Sequence, residues 1–584
     1  MQPAQDHLPF SPLVLSPCPK GYTRDLDKAV SPEATLAFVQ ARLQELDLDI
    51  LKATRRVDVG RLGIPVYMSL CGADALAFLP TRKQMGKGSS PLQAQASAIM
   101  ELVERFSFFT FFARADTLPK ERWQSAKARY GAGLLPVCEI LRSVQETLSE
   151  REAEEILNLL PWTFYPATEL ASREQVWLPL DWFRLLNEFN GSSAGNSDVE
   201  SLFQGLCEVV ERHVSCQIDG ERRVCPTIDP TSCTDPTLCG LLAAFEREGV
   251  RLVLKDFSQG YALPTIGAVA WDASTFPQSS EIVFTAGTAS SPAKAAIRTV
   301  TEIAQLGGDF CTKSCYEASG LSKYHRLEDI DWLLQGPVCR MDDIPSLEAD
   351  DILDELLACV RGLAPYKVYA LSLRHPRLDL PAHYTIVPGF DFRERDRNQS
   401  LGLFVGRRLV EEADYGEAQA GLGVLGRIYG EQAHFLPFFH GLLNLREGKL
   451  AEALQAFAHA KDRQPDPASQ ALALFYHGYV LTQQGEWQKA RHSLLLASEA
   501  APDVRDYVSL LGVAYFKTGD YALAETAFTR ALAIDKGSAM DLANLGLSEL
   551  KLGKKAEAGE HLRLALSLDA SLDFARRALA ELAS

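Results

Sequence analysis

The 584-residue sequence contains no apolar run near the roughly 18 residues that a membrane-spanning helix requires. Its first twenty residues, MQPAQDHLPFSPLVLSPCPK, have no basic stretch followed by an apolar one, so no secretion signal is expected. Basic side chains are in the minority, with 59 Lys and Arg against 76 Asp and Glu and a net charge of −17. This imbalance argues against a broad surface for nucleic acid or for an anionic membrane. We therefore expect a cytoplasmic protein that binds neither.

Two common kinds of site are also missing from the sequence. The twelve cysteines form no paired Cys-x-x-Cys motifs, and their closest groupings are Cys311 with Cys315 and the trio Cys225, Cys233 and Cys239. Structural zinc is therefore not expected, and reduced thiols are the better interpretation in a chain without a secretion signal. No Gly-x4-Gly-Lys-Ser/Thr motif occurs, so a Walker-type nucleotide site is unsupported.

The C-terminal part of the chain repeats at a fixed period. Two glycines separated by six residues recur four times, and an alanine follows each second glycine five residues later. The pairs begin 37, 34 and 34 residues apart and are Gly441/Gly448, Gly478/Gly485, Gly512/Gly519 and Gly546/Gly553. This period resembles the tetratricopeptide repeat, in which small residues let two antiparallel helices pack closely. Such repeats form a concave surface that usually binds peptides or partner proteins, and the alternative is a stabilising or dimerising appendage.

The N-terminal part of the chain has a different pattern. Strand-like runs such as RLVLKDF and EIVFTAG alternate with helical periods such as PAKAAIRTVTEIAQL. The alternation predicts an α/β or α+β catalytic domain, with VPGFDF as its closing strand and turn. We predict this domain over residues 1–392, a connector over 393–432 and an all-α repeat domain over 433–584.

Three of the predicted helices carry the same polar stripe. Residues at i, i+4, i+8 and i+11 lie on one face of a helix. The stripes are Gln93, Ser97, Glu101 and Glu104, then Glu200, Gln204, Glu208 and Glu211, and finally Lys294, Arg298, Glu302 and Gln305. The other faces are mostly apolar. A glycine-containing turn precedes each helix, and the free N–H groups of such a helix N-terminus can hold phosphate.

If the three stripes converge, five glutamates face one cavity: Glu101, Glu104, Glu208, Glu211 and Glu302. Such a cluster repels itself unless cations neutralise it. Mg²⁺ prefers to be shared between carboxylates and substrate phosphates, and nearby arginines and lysines would neutralise those phosphates. The stripes therefore predict a Mg-nucleotide site built from carboxylates. The alternative, glutamates on solvated faces paired with adjacent arginines, is disfavoured by three copies in one register. A dinuclear carboxylate oxidase is disfavoured because no Glu-x-x-His accompanies the glutamates.

These motifs resemble the YcaO family. The resemblance covers roughly residues 20–392 and rests on SAIMELVER, AGNSDVESLFQGLCEVVERH and RTVTEIAQ. It implies an α+β YcaO-type domain of mixed sheets and helices, followed by the all-α repeat domain, with ATP and Mg²⁺ as cofactors. Matching the motifs residue by residue implies nucleotide contacts from Ser97, Glu101, Glu200, Arg212 and Arg298, and metal ligation by the five glutamates. The family also uses a lysine and a hydroxyl residue seven positions apart near the N-terminus. Lys28 and Thr35 have that spacing, and Lys20 competes with Lys28.

The resemblance also implies a chemistry, the activation of a backbone amide. A nucleophile adds to the peptide carbonyl, the oxyanion attacks the γ-phosphate of ATP, and phosphate leaves. The layout with repeats resembles family members associated with methylthiolation of ribosomal protein S12, and the ending RRALAELAS lacks the proline-rich tail common in azoline-forming members. We therefore expect modification of a peptide or protein substrate to an azoline or a thioamide-related product, the latter favoured, with the repeats recruiting substrate or a partner protein. The alternative is an ATP-binding accessory protein that assists a separate enzyme. No general base stands out, and a homodimer stays open.

Overall fold

The structure is a computed structural model that describes residues 13–261, 263–311, 323–393, 395, 399–430 and 433–583. The described residues divide by their contacts into two compact units. The first unit comprises Met1–Glu150 with Pro161–Arg397, and the second comprises Arg151–Leu160 with Asn398–Ser584. In the described part of the chain, no helix has both the length and the apolar character needed to cross a membrane.

The first unit is built on β-sheets that are almost entirely antiparallel. In chain order its strands are β1 Leu51–Arg56, β2 Val66–Cys71, β3 Lys83–Lys87, β4 Glu121–Arg122, β5 Pro161–Trp162, β6 Phe164–Glu169, β7 Gln175–Pro179, β8 Ser192–Ala194, β9 Thr227–Ile228, β10 Arg251–Asp256, β11 Thr265–Trp271, β12 Val283–Thr288, β13 Val338–Cys339, β14 Tyr369–Ser372 and β15 Ala382–Ile386. The two larger sheets have the orders β12-β11-β10-β9-β13 and β7-β6-β14-β15-β8, and the smaller ones are β1-β2-β3 and β4-β5. Only the pair β13 and β9 is parallel among the pairings described.

Helices accompany these sheets. Those of the first unit are α1 Pro32–Glu45, α2 Ala73–Leu76, α3 Pro91–Ala115, α4 Trp123–Tyr130, α5 Val137–Ser143, α7 Leu180–Asn187, α8 Asp198–Glu221, α9 Pro236–Arg247, α10 Pro292–Gly307 and α11 Ile352–Gly362, whereas α6 Glu150–Leu157 falls almost entirely in the second unit. Helix α3 packs on β2 and β3, α8 on β8, β15 and β12, and α10 on β11 and β12. The aromatic run of α3 lies mostly in the core, with Phe106, Phe108, Phe111 and Phe112 buried. The predicted closing strand is placed differently: β15 ends at Ile386, and VPGFDF follows it outside any strand.

The three helices with polar stripes share one local construction, in which a strand leads through a short turn to a serine N-cap. Strand β3 precedes Ser90 and α3, β8 precedes Ser197 and α8, and β12 precedes Ser291 and α10. The third residue of each stripe is a glutamate, and it comes eleven residues after the cap in every case: Glu101, Glu208 and Glu302. Helical periodicity from a common starting point therefore gives the three stripes the same register.

The glycines before these helices also let strand and helix approach closely. A Cβ atom on Gly86 of β3 would lie 2.0 Å from the backbone nitrogen of Ala98 and 2.4 Å from the carbonyl oxygen of Ala94, both in α3. The corresponding glycines are Gly195 and Gly287, where a Cβ would meet helix backbone atoms at 2.6 Å in both cases. Because backbone atoms cannot swing aside as a side chain can, only glycine fits at these three contacts.

The second unit is helical. Its helices after α6 are α12 Leu401–Glu412, α13 Tyr415–Tyr429, α14 Leu436–Arg446, α15 Leu450–Ala460, α16 Pro467–Gln483, α17 Trp487–Ala500, α18 Arg505–Lys517, α19 Tyr521–Ile534, α20 Ala539–Lys551, α21 Lys555–Leu568 and α22 Asp573–Ala583. The segment 393–432, predicted as a connector, contains α12 and α13, which belong to this unit. Residues 394, 396–398, 431 and 432 of that segment lie outside the described part. The fold class, α+β followed by an all-α repeat region, is as predicted.

The glycine pairs of the repeats have two distinct roles. The first glycine of each pair lies in a helix, where it packs against a large side chain of the next helix. A Cβ on Gly512, for example, would lie 2.8 Å from the ring of Phe528. The second glycine ends the turn in the left-handed region, with φ of +70°, +77°, +88° and +83° along the chain. These two constraints are the physical basis of the period read from the sequence.

Candidate functional site

The polar stripes of α3, α8 and α10 converge on one cavity of about 770 Å³ in the first unit. Every residue predicted for the site lines it: Lys28, Thr35, Ser97, Glu101, Glu104, Glu200, Glu208, Glu211, Arg212, Arg298 and Glu302. The stripes therefore face each other across a common space rather than bulk solvent. The individual roles of these residues, as nucleotide contacts or metal ligands, stay predictions.

The centre of the cavity is acidic. Burial raises the pKa of Glu101, Glu104 and Glu208, and for Glu104 the pKa reaches about 8. Arg105 opposes this rise at Glu104, whereas the negative charges of Glu208 and Glu101 add to it. The Glu104 side chain is 15% exposed and accepts a 2.8 Å hydrogen bond from Ser192. The neighbouring arginines therefore do not fully offset the cost of burying these carboxyl groups in their ionised form.

A lysine that belongs to none of the three stripes also lies in the cavity wall. Lys87 is the last residue of β3, and its Nζ forms an ion pair with Glu302 of α10. Burial, together with the positive charge of Arg298, lowers the pKa of Lys87 to about 8. Lys87 was not predicted for the site. The signal that could have indicated it is its position between Gly86 and Gly88, three residues before the Ser90 cap of the first stripe helix.

Arg298 is held against α8 from two sides. Its Nη1 donates a 2.9 Å hydrogen bond to Oε1 of Gln204, and its Nη2 lies 3.8 Å from Oε2 of Glu211. That same Glu211 oxygen accepts a 3.1 Å bond from the backbone N–H of Thr288, at the end of β12. Arg212 lies 3.9 Å from Glu208, one helical turn earlier. Both arginines therefore present cationic groups beside the acidic centre.

The N-terminal segment closes another side of the cavity. Lys28 Nζ lies 3.5 Å from Glu200, which also accepts a 2.8 Å bond from the backbone N–H of Ala29. Thr35 donates a 2.9 Å bond to the side-chain oxygen of Asn196. Lys20, the competing lysine, is instead buried in ion pairs with Asp27 at 2.8 Å and Glu355 at 2.6 Å. The structure therefore places Lys28, and not Lys20, on the cavity.

Lys294, the first residue of the third stripe, does not reach this cavity. Its Nζ donates to the backbone oxygens of Thr23 and Arg24, and it lies 3.9 Å from Asp235. Its charge is used to hold the N-terminal segment and is not directed at the acidic centre. Lys294 is therefore not among the nearby basic residues that could neutralise phosphates in this cavity.

Two other arrangements of reactive residues are structural. His213 stacks on Phe390 with ring centroids 4.1 Å apart and accepts a bond from the N–H of Asp391, and burial lowers its pKa to about 4. Ser201, His383 and Asp198 form a chain of polar contacts that resembles a catalytic triad. Because Ser201 is fully buried, no substrate can reach its hydroxyl.

Eleven of the twelve cysteines are described, and all eleven are free thiols. Cys315 lies outside the described residues.

The residues of the cavity fit a nucleotide with Mg²⁺. Within the described ranges, no three acidic, cysteine or histidine side chains are gathered closely enough to form a complete metal cage. A site in which the protein supplies only some of the oxygen ligands suits Mg²⁺, because this ion takes its other ligands from substrate phosphates and water. Burial raises the pKa of Glu101, Glu104 and Glu208 although arginines lie close to them, so an additional cation would favour their ionised forms. This matches a site that a Mg-phosphate group would complete.

The pH dependence of stability follows from Glu104. Its folded-state pKa of about 8 lies above the ordinary value of 4.5, so the folded protein holds a proton that the unfolded chain has released between these values. The contribution of Glu104 to the free energy of unfolding, without nucleotide, is therefore largest below pH 4.5. This contribution decreases as the pH rises towards 8. Lys87 stays protonated over most of this range and adds little slope. We expect the Tm of nucleotide-free protein in EDTA to fall between pH 7 and pH 8, because buried histidines such as His213, whose pKa is lowered to about 4, are largely neutral in both states there and add little slope. The slope should be smaller in Glu104→Gln, and an unchanged slope in that variant would contradict the assignment.

Comparison with known proteins identifies the domain. Residues 85–391 match the family described as YcaO cyclodehydratase, ATP- and Mg²⁺-binding, and residues 476–539 and 510–573 match the tetratricopeptide repeat. An uncharacterised protein of Methanothermobacter thermautotrophicus is 29% identical over 285 residues, which is 48% of this chain and 70% of that protein. The ribosomal protein S12 methylthiotransferase accessory factor YcaO of Escherichia coli is 27% identical over 267 residues, 42% of this chain and 44% of that protein.

A solved structure described as a heterocyclase in complex with substrate and cofactor shares the fold. Its TM-score is 0.53 at 22% sequence identity, and the match covers 66% of this chain and 55% of that one. The family match spans more than half of the chain and contains all three polar stripes. The chain therefore belongs to the YcaO family of ATP- and Mg²⁺-binding proteins, with tetratricopeptide repeats in its C-terminal part.

Proposed function

We propose that this protein uses Mg-ATP to activate a backbone amide of a peptide or protein substrate. The observation that carries the proposal is the convergence of eleven predicted site residues, from three helices and the N-terminal segment, on a single cavity. Family membership supports the use of ATP and Mg²⁺. The type of product, a thioamide or an azoline, is part of the proposal.

The residues of this chain would position the reactants and neutralise charge. The five glutamates would ligate Mg²⁺: Glu101 and Glu104 from α3, Glu208 and Glu211 from α8, and Glu302 from α10. Arg298, Arg212 and Lys28 would contact phosphate oxygens, because their cationic groups line the same space. Bound Mg-ATP would supply the phosphoryl group that departs with the amide oxygen. Since such transfer depends chiefly on positioning and charge stabilisation, the absence of an evident general base in the sequence is compatible with it.

The repeats would bring the substrate or a partner protein to the enzyme. They contain a groove of about 580 Å³ in the second unit, and its walls include Phe475, Tyr479, Phe516, Asn544 and Phe574. Aromatic rings supply apolar contact area, and an amide side chain can hydrogen-bond a peptide backbone. This composition supports recruitment of a peptide segment.

The test is ATP turnover by the full-length protein, measured as release of ADP and phosphate, with candidate peptides present. We expect substrate to stimulate turnover and the peptide to lose one water as an azoline, or to exchange oxygen for sulfur when a sulfide donor is supplied. Mass spectrometry of the peptide separates the two products. Turnover that no peptide stimulates, together with unmodified peptides, would contradict the proposal.

The second candidate is an ATP-binding accessory protein that presents a substrate to a separate modifying enzyme. The similarity to the E. coli S12 methylthiotransferase accessory factor favours it. In that case, purified protein would bind the nucleotide but would not exceed background hydrolysis with any peptide. Addition of the separate enzyme would then be required for modification of its substrate.

A further inference from the structure

The N-terminal segment 20–29, which we call the strap, contacts the beginning of all three site helices. Ser89, next to the cap of α3, donates a hydrogen bond to Asp25. Ser290, next to the cap of α10, donates a 3.2 Å bond to Oδ2 of Asp27. In α8, Glu200 accepts a 2.8 Å bond from the backbone N–H at the end of the strap. The strap is therefore connected to every helix that lines the nucleotide cavity.

A second, much smaller cavity lies beneath the strap. It has a volume of about 30 Å³ and shares Lys28, Glu200, Gln204 and Arg298 with the wall of the large cavity. Asp27 and Ser290 line only the small one. A space of this size is large enough for a buried water molecule, because a water needs roughly 10–15 Å³ and two to four polar partners.

Two buried polar atoms at this small cavity have no hydrogen-bond partner among the described residues. One is Oδ1 of Asp27, whose side chain is only 6% exposed, and the other is Nε of Arg298. Asp27 uses its other oxygen for Lys20 and Ser290, and Arg298 uses its two terminal nitrogens for Gln204 and Glu211. A buried acceptor and a buried donor thus line the same polar space, and each would cost stability if left unsatisfied.

The charges around the cavity indicate water and not an ion. Three cationic side chains line it, from Lys28, Lys294 and Arg298, against the two carboxylates of Asp27 and Glu200. A metal cation would face this excess of positive charge, and an anion would face the unsatisfied oxygen of Asp27. A water molecule can donate to Asp27 and accept from Arg298 at the same time.

We propose that a buried water links Asp27 to Arg298 and that Asp27 is a positioning residue for the nucleotide site. The water would fix the Nε edge of the guanidinium, while Gln204 and Glu211 fix the other two edges. The strap would thereby hold Arg298 in the orientation that contacts phosphate. This inference rests on the proposed role of Arg298 and adds to it a residue outside the large cavity.

The test is a double-mutant cycle of Asp27→Asn and Arg298→Lys in the full-length protein. The measurement is the dissociation constant of a non-hydrolysable Mg-ATP analogue, with the Tm of the nucleotide-free variants recorded in parallel. Asp27→Asn keeps the size of the side chain and one acceptor oxygen, which Lys20 and Ser290 both require, so its NH2 group, a donor, replaces the acceptor that faces the water. We expect it to weaken analogue binding about tenfold, as for loss of one hydrogen bond to a charged group, and to leave kcat at saturating ATP nearly unchanged. In the Arg298→Lys background, which has no Nε donor, Asp27→Asn should have little further effect.

The control is Thr237→Val, which removes a 3.4 Å bond to the backbone oxygen of Arg24 in the strap; neither residue lines either cavity. It should leave analogue binding unchanged. Additive effects in the cycle, or wild-type affinity in Asp27→Asn, would overturn the proposal. Wild-type affinity in Arg298→Lys would instead refute the proposed role of Arg298, so the two failures are distinguishable.

A crystal structure of the nucleotide-free protein gives an independent reading. We expect an ordered water within hydrogen-bond distance of Asp27 Oδ1 and Arg298 Nε, and its loss in Asp27→Asn. A dry cavity, or an arginine turned away from it, would overturn the proposal even if both variants bound nucleotide weakly.

Discussion

Replacing Glu208 by glutamine is expected to abolish ATP turnover and to make the nucleotide-free protein more stable. Glu208 is buried beside the negative charges of Glu104 and Glu211, and burial is the main reason that its pKa is raised. Glutamine keeps the shape and removes one charge from this group. We therefore expect the free energy of unfolding to increase, because the cost of burying this ionised carboxylate is removed.

The same substitution removes a proposed ligand of Mg²⁺. Turnover should fall by about 100-fold or more, in the range seen when a group that stabilises transition-state charge is lost. Opposite signs for stability and activity separate a functional carboxylate from a structural one, because removing a structural ion pair lowers both. The measurements are thermal or denaturant unfolding in EDTA and phosphate release with Mg-ATP.

The matched control for this prediction is Glu221→Gln, at the exposed C-terminal end of the same helix. It changes the net charge of the chain equally but lies away from the cavity, so stability and turnover should both stay near wild type. A Glu208→Gln variant that is less stable than wild type, or one that keeps full turnover, would contradict the assignment of Glu208.

Replacing Gly86 by alanine is expected to have the largest effect on stability. The new methyl group would lie 2.0 Å from the backbone nitrogen of Ala98 and 2.4 Å from the carbonyl oxygen of Ala94, so β3 and α3 must separate. Overpacking of a core typically costs about 1–3 kcal/mol, and a contact between two backbones leaves little room for relief. We expect a loss of about 3 kcal/mol or more, measured by denaturant unfolding.

The displacement should also reach the nucleotide site, because Lys87 follows Gly86 directly and pairs with Glu302. Variant protein that still folds should therefore bind Mg-ATP more weakly. Gly240→Ala is the control: Gly240 lies in α9, and a Cβ there would meet no atom within 4 Å. Since alanine is the better helix former by about 1 kcal/mol, the control should be neutral or stabilising. A Gly86→Ala protein as stable as wild type would show that the strand and helix can separate without cost.

Local periodicity explains why much of the site is predictable from the sequence. The position of a side chain on a helix face depends only on its spacing, so Glu101, Glu208 and Glu302 can be aligned from the order of residues alone. The repeats are predictable for the same reason, because each depends on contacts between helices that are adjacent in the chain. The convergence of the stripes is a less direct inference from the sequence, because it rests only on finding the same register three times. The structure brings the three stripes to one cavity.

Contacts between distant segments depend on tertiary packing and could not be predicted in this way. Nothing in the spacing of Lys87 indicates that it meets Glu302, more than 200 residues later, or that Lys28 and not Lys20 lines the cavity. Lys294 has the stripe spacing and yet turns to the N-terminal segment, because backbone oxygens there accept its hydrogen bonds.

The repeat period and the register of the three stripes are thus properties of the amino-acid order, since both follow from helix geometry and from contacts between neighbours in the chain. The pairing of charges is a property of the folded molecule. Burial of Glu104 and Glu208 without sufficient cations, and the ion pair of Lys87 with Glu302, arise only when the separate helices and strands pack around one cavity.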